Sequence, residues 1–383
     1  MTKQEVLSRC NGFLKGICHP GQNLDLVKAA GFGWVRWDVP FPYDKNGKKA
    51  PSFEHFIGRC KAFADIGIRT ICVSPYPRDF LECGIDVRTE EGLATVSDIC
   101  RRMAADMKDV VGCWQATNEM FVPAFRAPIT EEEAVGFVAA SIQGLRAAGT
   151  DALIGHNCYA SGWEKYALAI DERSGGSDYA GVDLYAGTWG PGGVDSYIPE
   201  LERVAALAGL PVILMEFGFA SKGSSTDLYS NGQINWENPV LNSFLNRFSF
   251  KDAHEVLAEP DRFVRTVLDT CSPDMAKRAR ECSPSDKIPY IMQSVPHLLK
   301  SWPAKSDTEH TPQTQAEFYT RLLPRLMEHP QICGAAIYCM YDSDSCFTCG
   351  MEDCPCETAW GLVRHDGTPK PAYEAVAAVF NAR

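Results

Sequence analysis

Apolar residues along the chain recur in a repeated order. A short, continuous, largely β-branched run is followed by a turn, then by a stretch with helical spacing. The runs 12–18, 33–41, 68–76, 111–119 and 151–159 each lead into a helical pattern, at 23–31, 52–67, 90–107, 130–149 and 162–172. The runs 179–187, 211–220 and 332–342 are followed by helical patterns at 193–209, 314–330 and 370–380. Unbroken apolar runs of this length are expected of parallel strands covered on both faces. The helices carry end signals of their own. Thr130 with Glu133 has capping-box spacing, and Gly31, Gly67, Gly149 and Gly209 close helical patterns where a left-handed residue is wanted. Pro371 suits the first turn of the last helix.

Eight such units predict an α/β fold, a (β/α)8 TIM barrel. An open doubly wound sheet would show a glycine-rich phosphate loop after its first strand, and KGICHPGQN is not one. The expected organisation is a single barrel domain over 1–383 with two insertions. Residues 221–313 separate the seventh strand from its helix and contain helix-like pieces near 260–270 and 288–300. They read as a lid or as a contact between copies in a homo-oligomer. Residues 343–369, after the eighth strand, are rich in cysteine.

Composition narrows the function classes. The chain has 383 residues, 49 acidic against 37 basic, and a formal charge of −12. That balance argues against a phosphate-binding surface, so nucleic acid is not an expected partner. No stretch of about 18 apolar residues is present, so no membrane-spanning helix is expected. The opening MTKQEVLSRCNGFLKG lacks the apolar core of a signal peptide, and there is no Asn-x-Ser/Thr site. A cytoplasmic location is the expectation, where the 16 cysteines would be thiols or metal ligands.

In a barrel, chemistry gathers at the carboxyl ends of the strands. Strand 4 ends in Asn118-Glu119 and strand 7 carries Glu216 after Val212–Met215. A single charged residue closing a buried strand is usually a cap or an ion-pair partner, because burial without a partner is costly. Two of them, on strands at opposite sides of the ring, would face each other across the mouth. Paired carboxylates flanking a glycosidic bond are the minimal apparatus for hydrolysing it.

WQATNEM (114–120) with MEFGF (215–219) resembles the clan A glycoside hydrolases, retaining (β/α)8 enzymes. The resemblance extends to Arg36 in WVRWD, Tyr185 in GVDLYAG and the ending AWGLVRHDGTPKPAYEAV (359–376), and covers most of 12–220 and 314–380. It implies Glu119 as general acid/base, Glu216 as nucleophile, Asn118 on the sugar 2-hydroxyl, and Arg36 and Tyr185 beside the nucleophile. The implied activity is double-displacement hydrolysis of a glycoside or oligosaccharide, most often β-linked, with no cofactor in catalysis. A non-catalytic carbohydrate-binding barrel and a metal-dependent barrel hydrolase are the other readings.

His156, on strand 5, is either a core residue or a pocket residue. Trp189, in the loop after strand 6, is the first choice among the tryptophans for stacking on a sugar. Strand 8 reads IYCMYDSD, without the tryptophan many clan members carry there, so Tyr338, Tyr341 or Trp360 is expected to supply that platform.

Cys346, Cys349, Cys354 and Cys356 fall within eleven residues. Four thiolates in one loop predict a structural zinc site that orders a segment lacking a core. An iron–sulfur cluster, free thiols, or two disulfides after export are the other readings.

Overall fold

The computed structural model describes residues 1–44, 46–230 and 233–382. Eight parallel strands close into a barrel in chain order: β1 (Leu14–Cys18), β2 (Trp34–Asp38), β3 (Arg69–Val73), β4 (Val111–Gln115), β5 (Leu153–Tyr159), β6 (Ala180–Leu184), β7 (Val212–Phe217) and β8 (Ile332–Ile337). β8 returns to β1 with Leu14 opposite Gly334. The helices α1 (Leu24–Ala29), α2 (Pro51–Asp65), α3 (Glu90–Asp106), α4 (Glu131–Ala147), α5 (Ala167–Ser174), α6 (Tyr197–Ala208), α7 (Pro312–Glu328) and α8 (Pro371–Asn381) follow the strands. The eight-unit reading of the sequence is the architecture observed.

Large and small side chains alternate to fill the barrel. Trp34 and Tyr179 are buried inside with Leu14, Ile71, Leu153, Ile213 and Met215. A Cβ on Gly112 would lie 2.7 Å from the Trp34 ring, and one on Gly155 2.8 Å from the Tyr179 ring. These two glycines make room for the rings, as close-packed interiors require. A short helix, Lys3–Cys10, adds Val6 and Cys10 to this cluster. Its start is set by a capping box between Thr2 and Glu5.

The predicted helix ends are also present. Thr130 and Glu133 form a capping box at α4, and Pro371 begins α8. Gly31, Gly67, Gly149 and Gly209 all have positive φ.

The 221–313 segment contains more helix than its periodicity suggested. Helices Pro239–Asn246, Ala253–Ala258, Pro260–Phe263, Pro273–Glu281 and Pro284–Leu299 lie within it. Four of the five begin on proline, whose missing N–H costs nothing in a first turn. Leu241, Phe244, Phe263, Val267, Tyr290 and Trp302 form a second buried cluster there, continuous with Cys346, Cys349, Cys354, Cys356 and Trp360 of the 343–369 loop. That loop is closed at its base. Buried Lys370 donates to Asp342 at 2.9 Å and to Ser221 at 3.0 Å. No helix among the described residues is long and apolar enough to cross a membrane.

Candidate active site

β4 ends in a strained turn. Thr117 and Glu119 hold φ of +58° and +44°, a region non-glycine residues enter at a cost of about 1–3 kcal/mol. The turn is held from several sides. The Thr117 amide donates to Ser74 Oγ at 3.0 Å, and Gln115 Nε2 donates to the Thr117 carbonyl at 2.7 Å. The Glu119 amide donates to Asn157 Oδ1 at 3.0 Å. The Glu119 carboxyl itself has no hydrogen bond or ion pair among the described residues.

At the end of β7 the arrangement is the opposite. Arg36 Nη1 lies 2.7 Å from Glu216 Oε1, and the Tyr185 hydroxyl donates to Oε2 at 2.6 Å. Both oxygens of Glu216 are therefore taken by donors. Arg36 is 2% exposed and fully engaged, giving also to Gln115 Oε1 at 2.9 Å and Asn118 Oδ1 at 2.6 Å. Burial and the charge of Glu216 push the Tyr185 phenol well above its usual range, which keeps it a donor. The glycine after Phe217 is required by packing: a Cβ on Gly218 would lie 2.5 Å from the Tyr338 carbonyl oxygen.

Asn118 Oδ1 accepts from Arg36, from Gln115 at 3.0 Å and from Asn157 at 2.6 Å. Its amide nitrogen enters none of these bonds and is left for a ligand. Asn157 also donates to Asp183, whose other oxygen is buried without a partner. Burial, then Glu216 and Glu119, hold the Asp183 carboxyl well above the usual carboxylate range.

Glu119 titrates well above an ordinary glutamate. Burial first, and the Glu216 charge second, push Glu119 up to about 8, against a smaller opposing pull from Arg36. A carboxylic acid that keeps its proton near neutral pH, beside a carboxyl group held by a guanidinium and a phenol, is chemically able to donate a proton while its neighbour attacks.

Strand 8 and the cysteine loop complete the mouth. Half-buried Tyr338 donates to Glu357 Oε2 at 3.2 Å and meets His19 and Tyr185 edge-on, at 5.5 and 6.2 Å between ring centroids. Tyr338, Tyr341, His19, Trp37 and Phe347 line a cleft of about 520 Å³. Phe347 is 58% exposed.

Three sequence readings need correction. His156 is not a pocket residue. It is 1% exposed, stacks on Trp163 at 5.2 Å and lies 3.4 Å from Asp171 of α5. Successive strand residues point to opposite faces, so Asn157 takes the inward place. Trp360 is not a stacking surface: it is 1% exposed, sits 5.0 Å from Tyr185, and donates to the Cys356 carbonyl at 2.8 Å. It backs the tyrosines. The third correction concerns the cysteines. The group able to hold a metal is Cys346, Cys349, Cys354 and His297, with Cys356 turned to the Ser301 carbonyl at 3.9 Å. Trp189 packs 5.4 Å from His297 and 6.0 Å from Trp302.

Gln115, Asn157, Asp183 and Glu357 were not singled out as site residues from the sequence. Asn157 and Asp183 sit in strands read correctly, and a fixed register would have shown that they face inward. Glu357 carries no local signal.

No protein-family model and no curated protein matches the chain. Its fold does match solved structures of glycoside hydrolases. A family 39 glycoside hydrolase from the gut symbiont Bacteroides cellulosilyticus WH2 aligns with a TM-score of 0.56 at 17% identity, over 97% of this chain and 64% of that one. The Ignisphaera aggregans GH53 catalytic domain aligns with a TM-score of 0.56 at 14% identity, over 98% and 93%. A GH2 β-galacturonidase from Eisenbergiella tayi aligns with a TM-score of 0.54 at 12% identity, over 97% and 51%. The chain thus spans between half and two thirds of the length of two of these proteins. At these identities the likeness is one of fold, the (β/α)8 barrel of glycoside hydrolases.

Proposed function

We propose that the chain is a retaining glycoside hydrolase acting on β-linked, uncharged sugars. The observation that carries this reading is the unequal setting of two facing carboxyl groups. Glu216 is held by Arg36 and Tyr185, whereas Glu119 has no partner among the described residues and holds its proton up to about 8.

In the first step a Glu216 oxygen attacks the anomeric carbon as the glycosidic C–O bond breaks. Glu119 gives its proton to the departing oxygen. In the second step the Glu119 carboxylate takes a proton from water, the hydroxide portion bonds to the anomeric carbon, and Glu216 leaves as carboxylate. The free Asn118 amide nitrogen donates to the sugar 2-hydroxyl, a bond that strengthens as positive charge develops on the ring.

The charge pattern bears on the sugar. Arg36 is already bound to Glu216, and Asp183, Glu357 and Glu119 add carboxyl groups around it. A uronate would bring a further negative charge beside these carboxyl groups, where the buried cation, Arg36, is already paired. The β-galacturonidase among the matching structures makes β-glycosides the first series to try, and this site argues for their neutral members. The 16 cysteines, none paired in a disulfide among the described residues, support a reducing compartment.

The test is a panel of nitrophenyl β-glycosides, neutral sugars beside uronides. We expect turnover of a neutral member, retention of anomeric configuration by NMR, and a loss of more than about 10³-fold in kcat in Glu216→Gln. Inversion, or unchanged turnover in Glu216→Gln, would overturn the reading.

A further inference from the structure

Beyond the carboxyl pair, the densest group of reactive side chains lies where the two insertions meet. Cys346, Cys349, Cys354 and His297 are all buried, and one ligand atom from each lies within 4.8 Å of the others. Cys346 Sγ is 3.4 Å from His297 Nδ1, and Cys354 Sγ is 3.9 Å from the same atom. For a zinc ion with ordinary Zn–S and Zn–N bonds, a sulfur–nitrogen edge of the tetrahedron is about 3.6 Å. The two distances bracket that edge.

The local backbone fits a metal-binding turn. The Cys349 amide points at Cys346 Sγ at 3.5 Å, and the Gly350 amide donates to the Cys346 carbonyl at 2.7 Å. Gly350 then turns through φ +76°, which only glycine adopts freely. An amide aimed at sulfur favours the thiolate over the thiol. Three thiols of one loop and an imidazole from the facing helix converge at one buried point, and none is a strong hydrogen-bond partner for another.

The geometry points to a single structural zinc ion held by His297, Cys346, Cys349 and Cys354. It joins the 343–369 loop to helix Pro284–Leu299 of the other insertion. Zinc suits a three-sulfur, one-nitrogen set with no open position. The thiol protons pass to solvent on binding, so no oxidant or reductant is needed. The clasp has a consequence at the mouth. Glu357 follows Cys354 by three residues and receives the Tyr338 hydroxyl at 3.2 Å. Trp189, from the loop after β6, rests on His297. The ion thereby positions Glu357 at the edge of the candidate active site.

This inference does not depend on the hydrolase reading, because metal content is measured without a substrate. Elemental analysis of the purified full chain, expressed with zinc and without a metal-affinity tag, should find about one zinc per chain. Titration with a mercurial should release it to a chromogenic chelator. Reconstitution with cobalt(II) should give the strong visible d–d bands of a tetrahedral site and thiolate charge transfer, and X-ray absorption should fit three sulfurs and one nitrogen. Cys356→Ser should keep the metal, whereas His297→Ala and Cys349→Ser should lower its occupancy at least about 10-fold. Metal content near zero after reconstitution would overturn the proposal. So would a four-sulfur shell with metal lost in Cys356→Ser and kept in His297→Ala. The cobalt and absorption spectra use the unaltered protein, so they decide the matter even if a variant fails to fold.

Discussion

The ends of β4 and β7 present the same chemical group in two different settings. At β7, Glu216 has one oxygen on Arg36 and the other on Tyr185. At β4, Glu119 lies in a strained turn, and its carboxyl has no hydrogen-bond or ion-pair partner among the described residues. In the proposed mechanism the side chain does not decide which is acid and which is nucleophile; the neighbours do. On that reading one buried cation, placed beside one of two carboxyl groups, divides the roles.

Removing that cation should have the largest effect. Arg36→Met leaves Glu216 buried without its charge partner, and breaking such a pair costs about 3–5 kcal/mol. We expect kcat/KM to fall at least about 10³-fold and the melting temperature to drop, read by steady-state kinetics and calorimetry. Near-normal activity would mean that Tyr185 alone fixes the nucleophile.

Glu119→Gln should act more selectively. It should slow glycosides with poor leaving groups about 10²–10³-fold while sparing a dinitrophenyl glycoside in the first step. The wild-type kcat/KM should decline as pH rises past about 8, where Glu119 gives up its proton. The variant should lack that alkaline limb. Tyr185→Phe removes one hydrogen bond to a charged oxygen, worth about 1.5–3 kcal/mol, so a loss of about 10–100-fold in kcat is expected.

The smallest effect concerns stability. Folded Glu119 keeps its proton to about 8, whereas an ordinary glutamate releases it near 4.5. Between those values the folded state binds more protons, so stability falls as pH rises through this window. Glu119→Gln is exempt from that loss. Its melting temperature should gain on the wild type from pH 5 to pH 8 by a few degrees, measured by differential scanning calorimetry.

The barrel and the candidate site were unequally legible. Strand and helix units could be read because the strand runs are apolar and largely buried and several helices carry end signals such as Thr130 and Gly149. The same unbroken runs hide which residues face inward. On β5 every residue from Leu153 to Cys158 is buried, so nothing in the pattern separates His156 from Asn157. In the 221–313 segment the helices Pro239–Asn246, Ala253–Ala258, Pro260–Phe263 and Pro273–Glu281 are too short for a periodic signal, whereas part of the longer Pro284–Leu299 was read near 288–300. The candidate metal group was half legible. Its three cysteines share one loop, but His297 lies 49 residues before Cys346 and meets it only through folding. Glu357 reaches the mouth by the same route.

The division of roles is tested most directly by trapping the nucleophile. The best neutral substrate from the glycoside panel should be converted to its 2-deoxy-2-fluoro analogue with a dinitrophenyl leaving group. The fluorine destabilises the charged transition state and slows both steps, while the good leaving group lets the first proceed. The account predicts a stable adduct whose mass maps, after proteolysis, to the peptide containing Glu216. An adduct on Glu119 or Glu357, or steady hydrolysis without any adduct, would contradict it.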